Sequence, residues 1–287
     1  MYAITGITGQ VGSALADALF AAGRPVRAVV RDASKAKPFV ARGAEVAVAE
    51  LHDTAALTRA FSGAEAVFIL LPPVFDPAPD FLTAEDPAIA SIHDALLAAR
   101  PKQVVALSTI GADATQENLL SRLTRMERVL GGLPVPVTFL RAGWFLENAR
   151  WDVASARDDG VIDSFLAPLD RKIAMVATRD VGQLAASLLD ERGEGHRVVE
   201  LEGAGRVSPN DIAAAFSRAL GRDVRARLVP RATWAARFTA DGMSNPTPRM
   251  RMIDGFNEGW IDFGADAIKG TTSLDVVMAG LLSKPVD

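Results

Sequence analysis

Residues 2–12 read Tyr-Ala-Ile-Thr-Gly-Ile-Thr-Gly-Gln-Val-Gly, and Ser13-Ala14-Leu15-Ala16-Asp17-Ala18-Leu19-Phe20 follows with helical periodicity. A short apolar strand thus ends in glycines at 6, 9 and 12 and passes straight into a helix. Such a turn aims backbone N–H groups, at the positive end of a helix dipole, into a space that an anion can fill. The spacing gives each glycine a task. Gly6 makes the turn, Gly9 lets phosphates approach the backbone, and Gly12 lets the helix press on the strand. Thr8, Gln10 and Val11 lie in the same turn. In this strand–turn–helix setting the segment predicts a dinucleotide site, which a bare glycine triplet would not.

The rest of the first half alternates short β-rich runs with amphipathic stretches. Strands are expected at 25–30, 44–48, 66–71, 103–107 and 137–140, and helices at about 12–22, 33–42, 54–62, 86–99 and 117–130. Near-continuous Val, Ile and Leu in these runs fits strands covered on both faces, so the pattern reads as βαβ units on a parallel, doubly wound sheet. Residues 72–87 break the rhythm with Pro72, Pro73, Pro77, Pro79 and Pro87. A loop there would follow the fourth strand on the carboxyl edge, where doubly wound folds bind ligands.

Beyond residue 141 the pattern predicts a helix over 145–157, a helix over 179–191 capped by Thr178, and a strand at 198–201. Ser208-Pro209-Asn210-Asp211 should start a helix that Gly221 stops. Residues 224–229 read as a possible edge strand, and 230–287 as helices and loops that form a lid.

Composition excludes several classes of function. The 287 residues are 49% hydrophobic and 23% charged, which is globular. The net charge of −4, with no block of Lys or Arg, argues against direct nucleic-acid binding. No apolar run is long enough for a membrane helix. Met1-Tyr2-Ala3-Ile4 opens a strand with no basic leader pattern, so the expected address is the cytoplasm. There is no cysteine, and the three histidines, His52, His93 and His196, have no metal-ligand spacing, so no metal is expected.

The second strand ends Val29-Val30-Arg31-Asp32, with Lys35 one helical turn further on. Arg31 at the discriminating position would fork onto a 2′-phosphate and Lys35 would add charge, which favours NADP (NADPH). If the strand ends one residue later, Asp32 becomes a ribose-binding acid and NAD is favoured. Both cations as solvated charges is the plainer alternative. Asp53 reads first as a helix cap and only second as a neighbour of adenine.

Taken together, Gly6-Ile7-Thr8-Gly9-Gln10-Val11-Gly12, Val30-Arg31-Asp32-Ala33-Ser34-Lys35-Ala36, Leu107-Ser108-Thr109 and Leu140-Arg141-Ala142-Gly143-Trp144-Phe145-Leu146-Glu147-Asn148 resemble the NmrA-like branch of the atypical short-chain dehydrogenases/reductases. Their order is similar to that in bacterial NADPH-dependent quinone reductases and triphenylmethane-dye reductases. The resemblance implies a Rossmann-type NAD(P)-binding domain over 1–141, with later strands returning to it. It also implies that 142–287 is mainly a smaller α/β substrate lobe and lid. Residues 8–12, Arg31 and Lys35 would hold the cofactor, and Leu71-Pro72-Pro73 and Ser108 would border the nicotinamide.

One departure bears on chemistry. Dehydrogenases of this class use Tyr-x-x-x-Lys, in which Lys lowers the Tyr pKa for proton transfer. This chain has a single tyrosine, Tyr2, which its pattern buries in the first strand. NmrA-like reductases often carry a Lys in the helix that ends near Glu127; here Leu123-Thr124-Arg125-Met126 stands there, and an arginine cannot serve as a base. No catalytic residue is therefore assigned. Two functions survive. A reductase would pass hydride to a small conjugated acceptor, such as a quinone, that needs no strong protein acid. Ser108 would then orient a carbonyl oxygen, and Trp144, Phe145 and Asn148 would line the pocket. Alternatively, Ser108 closes a strand, Trp144 and Phe145 pack a core, and the protein is a non-catalytic NADP(H) sensor that signals to a protein partner. Met250 and Ile253 are left between capping the pocket and burying a helix.

Overall fold

The computed structural model describes residues 1–84, 86–191 and 193–283. The strands are β1 (Tyr2–Thr5), β2 (Val26–Val30), β3 (Glu45–Val48), β4 (Ala66–Ile69), β5 (Gln103–Thr109), β6 (Val137–Ala142), β7 (Trp144–Phe145), β8 (Val161–Ser164), β9 (Met175–Val176), β10 (His196–Glu202), β11 (Arg225–Leu228) and β12 (Ile268–Lys269). The first six helices are α1 (Gln10–Ala21), α2 (Lys37–Val40), α3 (Thr54–Phe61), α4 (Pro87–Ala99), α5 (Ser121–Leu130) and α6 (Val153–Asp158). The others are α7 (Thr178–Asp190), α8 (Pro209–Leu220), α9 (Trp234–Ala240), α10 (Thr247–Glu258) and α11 (Leu274–Leu282).

Eight strands form one sheet in the order β12-β10-β6-β5-β4-β1-β2-β3, with every ladder parallel. This is the expected doubly wound, Rossmann-like architecture. The chain leaves β1 toward β2 and β3, then crosses back to β4, so the order reverses between β1 and β4 and opens a crevice at their carboxyl ends. The apolar runs are continuous because each strand feeds two cores. Tyr2, Ile4, Ala66, Phe68, Val105 and Leu107 enter the layer beneath α1 and α7. Ala3, Val67, Ile69, Val104 and Ala106 enter the layer beneath α3, α4 and α5. Period-two alternation sorts the side chains, and burial of both sets removes any polar stripe from the sequence.

The second half returns to this sheet through β10 and β12 and also builds two small parallel pairs, β11 with β8 and β7 with β9. It holds a core of its own around Ile162, Met175, Phe216 and Phe256. Helix α8 starts at the expected Ser208 cap, which Asp211 completes into a capping box, and ends at Gly221 in the left-handed region.

Several expected elements differ in kind. The helix expected over 33–42 is a 3-10 turn (Ala33–Ala36) followed by α2. Asp32 caps the tight turn through Ser34, and Pro38, which lacks an N–H, cannot continue a helical ladder from it. The helix expected over 145–157 is a 3-10 segment (Leu146–Asp152) leading into α6. Helix α5 starts at Ser121 rather than 117, because the Asn118 side chain accepts from Leu120 N at 2.8 Å and holds a turn ahead of it. Residues 225–228 pair with β8, not with the large sheet.

Helix α7 lies on α1, and the approach depends on Gly182. A Cβ there would stand 2.6 Å from both Ala14 Cβ and Leu15 N, a backbone atom that cannot turn aside. Gly280 in α11 has nothing within 4 Å of the same position. Gly182→Ala is therefore expected to lose about 1–3 kcal/mol in urea unfolding from overpacking. Gly280→Ala should gain about 0.5–1 kcal/mol, the ordinary helix-interior benefit. Equal effects would mean that α1 and α7 do not meet at this spacing.

Candidate active site

At the end of β1 the chain turns on Gly6, whose φ of +66° favours glycine. Gly9 N donates to Gly6 O at 3.0 Å and closes the turn. A Cβ on Gly12 would lie 2.2 Å from Gly6 O, so only glycine lets α1 begin this close to the strand. Gly9 is the N-cap of α1; it supplies no side chain, and the first turn holds no acid. The helices α3, α4, α8 and α11 all have side-chain caps, from Asp53, Asp86, Ser208 and Ser273. The amides that open α1 have none, and Thr8, Gly9 and Gln10 are exposed around them. This cradle fits a pyrophosphate: bare donors, a positive helix end and no side chain in the way.

The neighbouring strand β2 delivers Arg31 and Lys35, both exposed and neither in an ion pair among the described residues. Asp32 is differently placed. Its two oxygens accept from Ser34 N at 2.8 Å and Ser34 Oγ at 2.7 Å, and these hydrogen bonds hold its carboxyl below the usual range. The carboxylate is spent on capping, while the two cations beside it are uncommitted among the described residues. Asp53 likewise caps α3 by accepting from Ala56 N.

On the other side of the crevice, Thr5 Oγ1 donates to Phe68 O at 3.1 Å and accepts from Leu70 N at 2.8 Å. This hydroxyl, only 1% exposed, fixes the ends of β1 and β4 together. Leu71 is buried just beyond, and Pro72 begins a mostly exposed loop, described over 72–84, that leads toward Asp86 at the start of α4. Two arginines of α5 hold that loop. Arg122 donates to Asp86 at 2.5 Å and to Pro72 O at 2.9 Å, so it grips both ends. Arg125 donates to Ala84 O at 2.8 Å and Phe81 O at 2.6 Å. The charge at position 125 is thus used to anchor a loop.

Further along the edge, Ser108 of β5, Arg141 of β6 and Glu200 of β10 stand in register on adjacent strands. Ser108 Oγ donates to Glu127 Oε1 at 2.5 Å, and Arg141 grips the same carboxylate through Nε at 3.0 Å and Nη2 at 2.8 Å. The side chains of Arg141 and Glu127 are only 11% and 12% exposed. The Glu127 hydrogen bond pushes the Arg141 pKa up, and burial pushes that of Glu200 up against the pull of Arg141. Ser108 is therefore at the expected strand end, but its proton is already donated. The sequence reading did not foresee this cluster. Its only trace is a charged residue, Arg141, closing an otherwise apolar buried strand.

Trp144 and Phe145 follow β6, both half-buried. Trp144 packs edge-on against Phe256 at 5.2 Å in the second-half core, whereas Phe145 packs against the sheet core beneath α1. Glu147 has a role that sequence reasoning missed. Its carboxylate accepts from Thr178 N at 2.9 Å and from Thr178 Oγ1 at 2.7 Å. Thr178 was expected to be the N-cap of its own helix; in fact Ala177 is the N-cap, and Glu147, reaching across, does the capping. Asn148 is half-buried beside it. Ile253 is buried with Trp234, Phe238 and Met243, and Met250 packs on that cluster, so both bury α10.

The structure thus strings the expected residues along one carboxyl edge in sheet order: Arg31 and Lys35 at β2, residues 6–12 at β1, Leu71 and Pro72 at β4, Ser108 at β5, Trp144 and Phe145 after β6. Tyr2 stands at the amino edge instead. Its hydroxyl donates to Asp190 at 2.5 Å, and Asp190 also accepts from Arg24. Burial first, then this hydrogen bond, pushes the phenol pKa up to about 12. Among the described residues there is no cluster of metal ligands and no helix long and apolar enough to cross a membrane.

Two expectations follow. Arg141→Met would strand the Glu127 carboxylate, so urea unfolding should show a loss of about 3 kcal/mol. The double variant with Glu127→Met should regain at least half of it; no recovery would show that the pair is not coupled. Because Tyr2 is the sole tyrosine, tyrosinate absorbance reports it alone. The native protein should show no titration near pH 10 and a midpoint of about 12. The folded pKa lies above the unfolded one, so this stabilisation is intact below about 10 and is lost as pH rises through the folded value. A native midpoint near 10 would contradict the Asp190 bond.

Comparison with known proteins gives a consistent picture. The model of the NmrA-like family matches residues 2–247. Quinone oxidoreductase 2 of Escherichia coli (strain K12) is 29% identical over 245 residues, covering 85% of this chain and 82% of that protein. An NAD(P)H azoreductase of Xenophilus azovorans is 30% identical over 227 residues, covering 78% and 76%. A crystal structure of an Escherichia coli NADPH-dependent quinone oxidoreductase complexed with NADPH superposes with a TM-score of 0.83 at 26% identity, covering 98% of this chain and 99% of that one.

Proposed function

This chain belongs to the NmrA-like family, and on that premise we propose that it is an NADPH-dependent reductase that passes a hydride to a small conjugated acceptor such as a quinone. The observation that carries this reading is the order of groups along the carboxyl edge. Free cations stand at β2, uncapped amides at β1 and a proline loop at β4, which is the order in which a dinucleotide laid across the switch point would meet them. The amides opening α1 hold the pyrophosphate, and Arg31 with Lys35 hold a 2′-phosphate. Leu71 and Pro72 back the nicotinamide, and bound NADPH supplies the hydride.

Beyond the nicotinamide, this chain offers aromatic surface from Trp144 and Phe145 and the polar tip of Asn148. Its only tyrosine lies at the opposite edge of the sheet, on Asp190. A plain ketone would form an alkoxide with no side chain poised to protonate it. A quinone spreads the added electron pair over its ring and takes its proton from water. The likeness to proteins named quinone oxidoreductase and NAD(P)H azoreductase supports acceptors of this conjugated kind.

Purified protein mixed with NADPH and a panel of quinones should oxidise the nicotinamide above background, followed by its absorbance. Gly9→Asp, which puts a carboxylate where phosphate would sit, should abolish turnover. Arg31→Ala should weaken NADPH binding about tenfold while leaving NADH affinity unchanged. Tight NADPH binding without turnover across the panel would overturn the reductase reading, and equal affinity for the two coenzymes would overturn the roles of Arg31 and Lys35.

A further inference from the structure

The loop that Pro72 begins is held from two sides. On one side are Arg122 and Arg125 of α5. On the other is a single carboxylate, Asp76. Its oxygens accept from Ser244 N at 3.0 and 2.9 Å and from Asn245 N at 2.8 Å, in the turn that leads into α10. Asn245 Nδ2 donates back to Ala78 O at 3.4 Å. The same end of α10 is tied to the segment after β5, where Leu119 N donates to Pro248 O at 3.0 Å. Asp76 therefore joins the loop leaving β4 to an element that already touches the loop leaving β5. These are the two strands whose carboxyl ends carry Leu71, Pro72 and Ser108.

The clasp fixes two adjacent apolar side chains. Val74 and Phe75, the two residues before Asp76, are 39% and 51% exposed, while Pro77 just after it is buried. A tethered strap thus presents a large aliphatic and an aromatic side chain to solvent within three residues of Pro72. Two adjacent apolar side chains on a held backbone offer a flat apolar molecule a contact at a fixed place. Two charged anchors and a carboxylate that captures two backbone amides would be an elaborate way to hold an idle loop.

We propose that Asp76 is a positioning residue: it latches the strap that Pro72 begins to the turn before α10, and so holds Val74 and Phe75 where a flat, apolar acceptor enters the crevice. The acceptor's class rests on the reductase reading; the latch itself does not. Backbone amides bound to a carboxylate make a stronger tie than neutral pairs, and both partners are rigidly placed by Pro77 on one side and Pro246 on the other. The Asp76 carboxylate is spent on the turn before α10, so NADPH affinity is the control against which a change at the acceptor's place is read.

The test compares wild type with Asp76→Ala, Phe75→Ser and Asn245→Ala. The last keeps the backbone N–H that the latch uses. Hydrogen exchange should find the Ser244 and Asn245 amides about tenfold faster in Asp76→Ala and unchanged in Asn245→Ala. Calorimetry on NADP+-loaded protein should show affinity for a naphthoquinone falling about fivefold or more in Asp76→Ala and Phe75→Ser, with NADPH affinity within about twofold of wild type. Unchanged exchange in Asp76→Ala would overturn the latch. Faster exchange with undiminished quinone affinity would overturn its positioning role. A wild type that binds the quinone without reducing it would sink the reductase proposal and leave the latch standing.

Discussion

The close contact between Gly12 and Gly6 is the constraint on which the crevice depends. With hydrogen in place of a Cβ at residue 12, the axis of α1 starts directly beneath the turn, and its amides face the gap between β1 and β4. A methyl group 2.2 Å from a carbonyl oxygen would push the helix away and turn those amides aside. The same economy recurs one layer out. Gly182 lets α7 settle on α1, and Glu147 caps α7 at Thr178, whose hydroxyl also lies 3.4 Å from Gln10 Oε1. The glycine turn is thus backed by a second helix whose start is pinned by a residue from the segment after β6. Small residues set the distances, and a carboxylate sets the direction.

The parts legible in the sequence were those fixed by local chemistry. The glycine turn, the parallel strands, the Ser208 helix start and the Asp53 cap are each written within a few consecutive residues. Long-range partners were not legible. Glu147 and Thr178 are far apart in the chain, and nothing near Thr178 says that its cap comes from elsewhere. Ser108 and Arg141 become neighbours only when β5 and β6 pair in register, and Glu127 joins them only because α5 packs over that pair. The two-residue strand β12 carries too little pattern to be seen; it exists because β10 offers it an edge. The break at Pro38 was readable in principle, since a proline inside an expected helix is itself a signal.

Several polar side chains of the crevice are committed to one another, while Arg31 and Lys35 stand outside any ion pair among the described residues and the buried Arg125 Nε has no partner. Ser108 gives its proton to Glu127, Glu127 is gripped by Arg141, Asp32 serves Ser34, Arg125 serves two loop carbonyls, and Asp76 serves two amides. Such mutual satisfaction is what burial demands, since an unpaired group there would be expensive. It also has a chemical consequence. A site with few uncommitted donors cannot stabilise a localised alkoxide, yet it holds its geometry well. An acceptor whose own π system disperses the incoming charge asks only for a fixed distance to the nicotinamide and an apolar wall, and preorganised backbone with packed aromatic rings supplies both. The loss of the tyrosine from this edge and the rigidity of what remains therefore have one explanation. The fold holds its partners in place and leaves the electronic work to them.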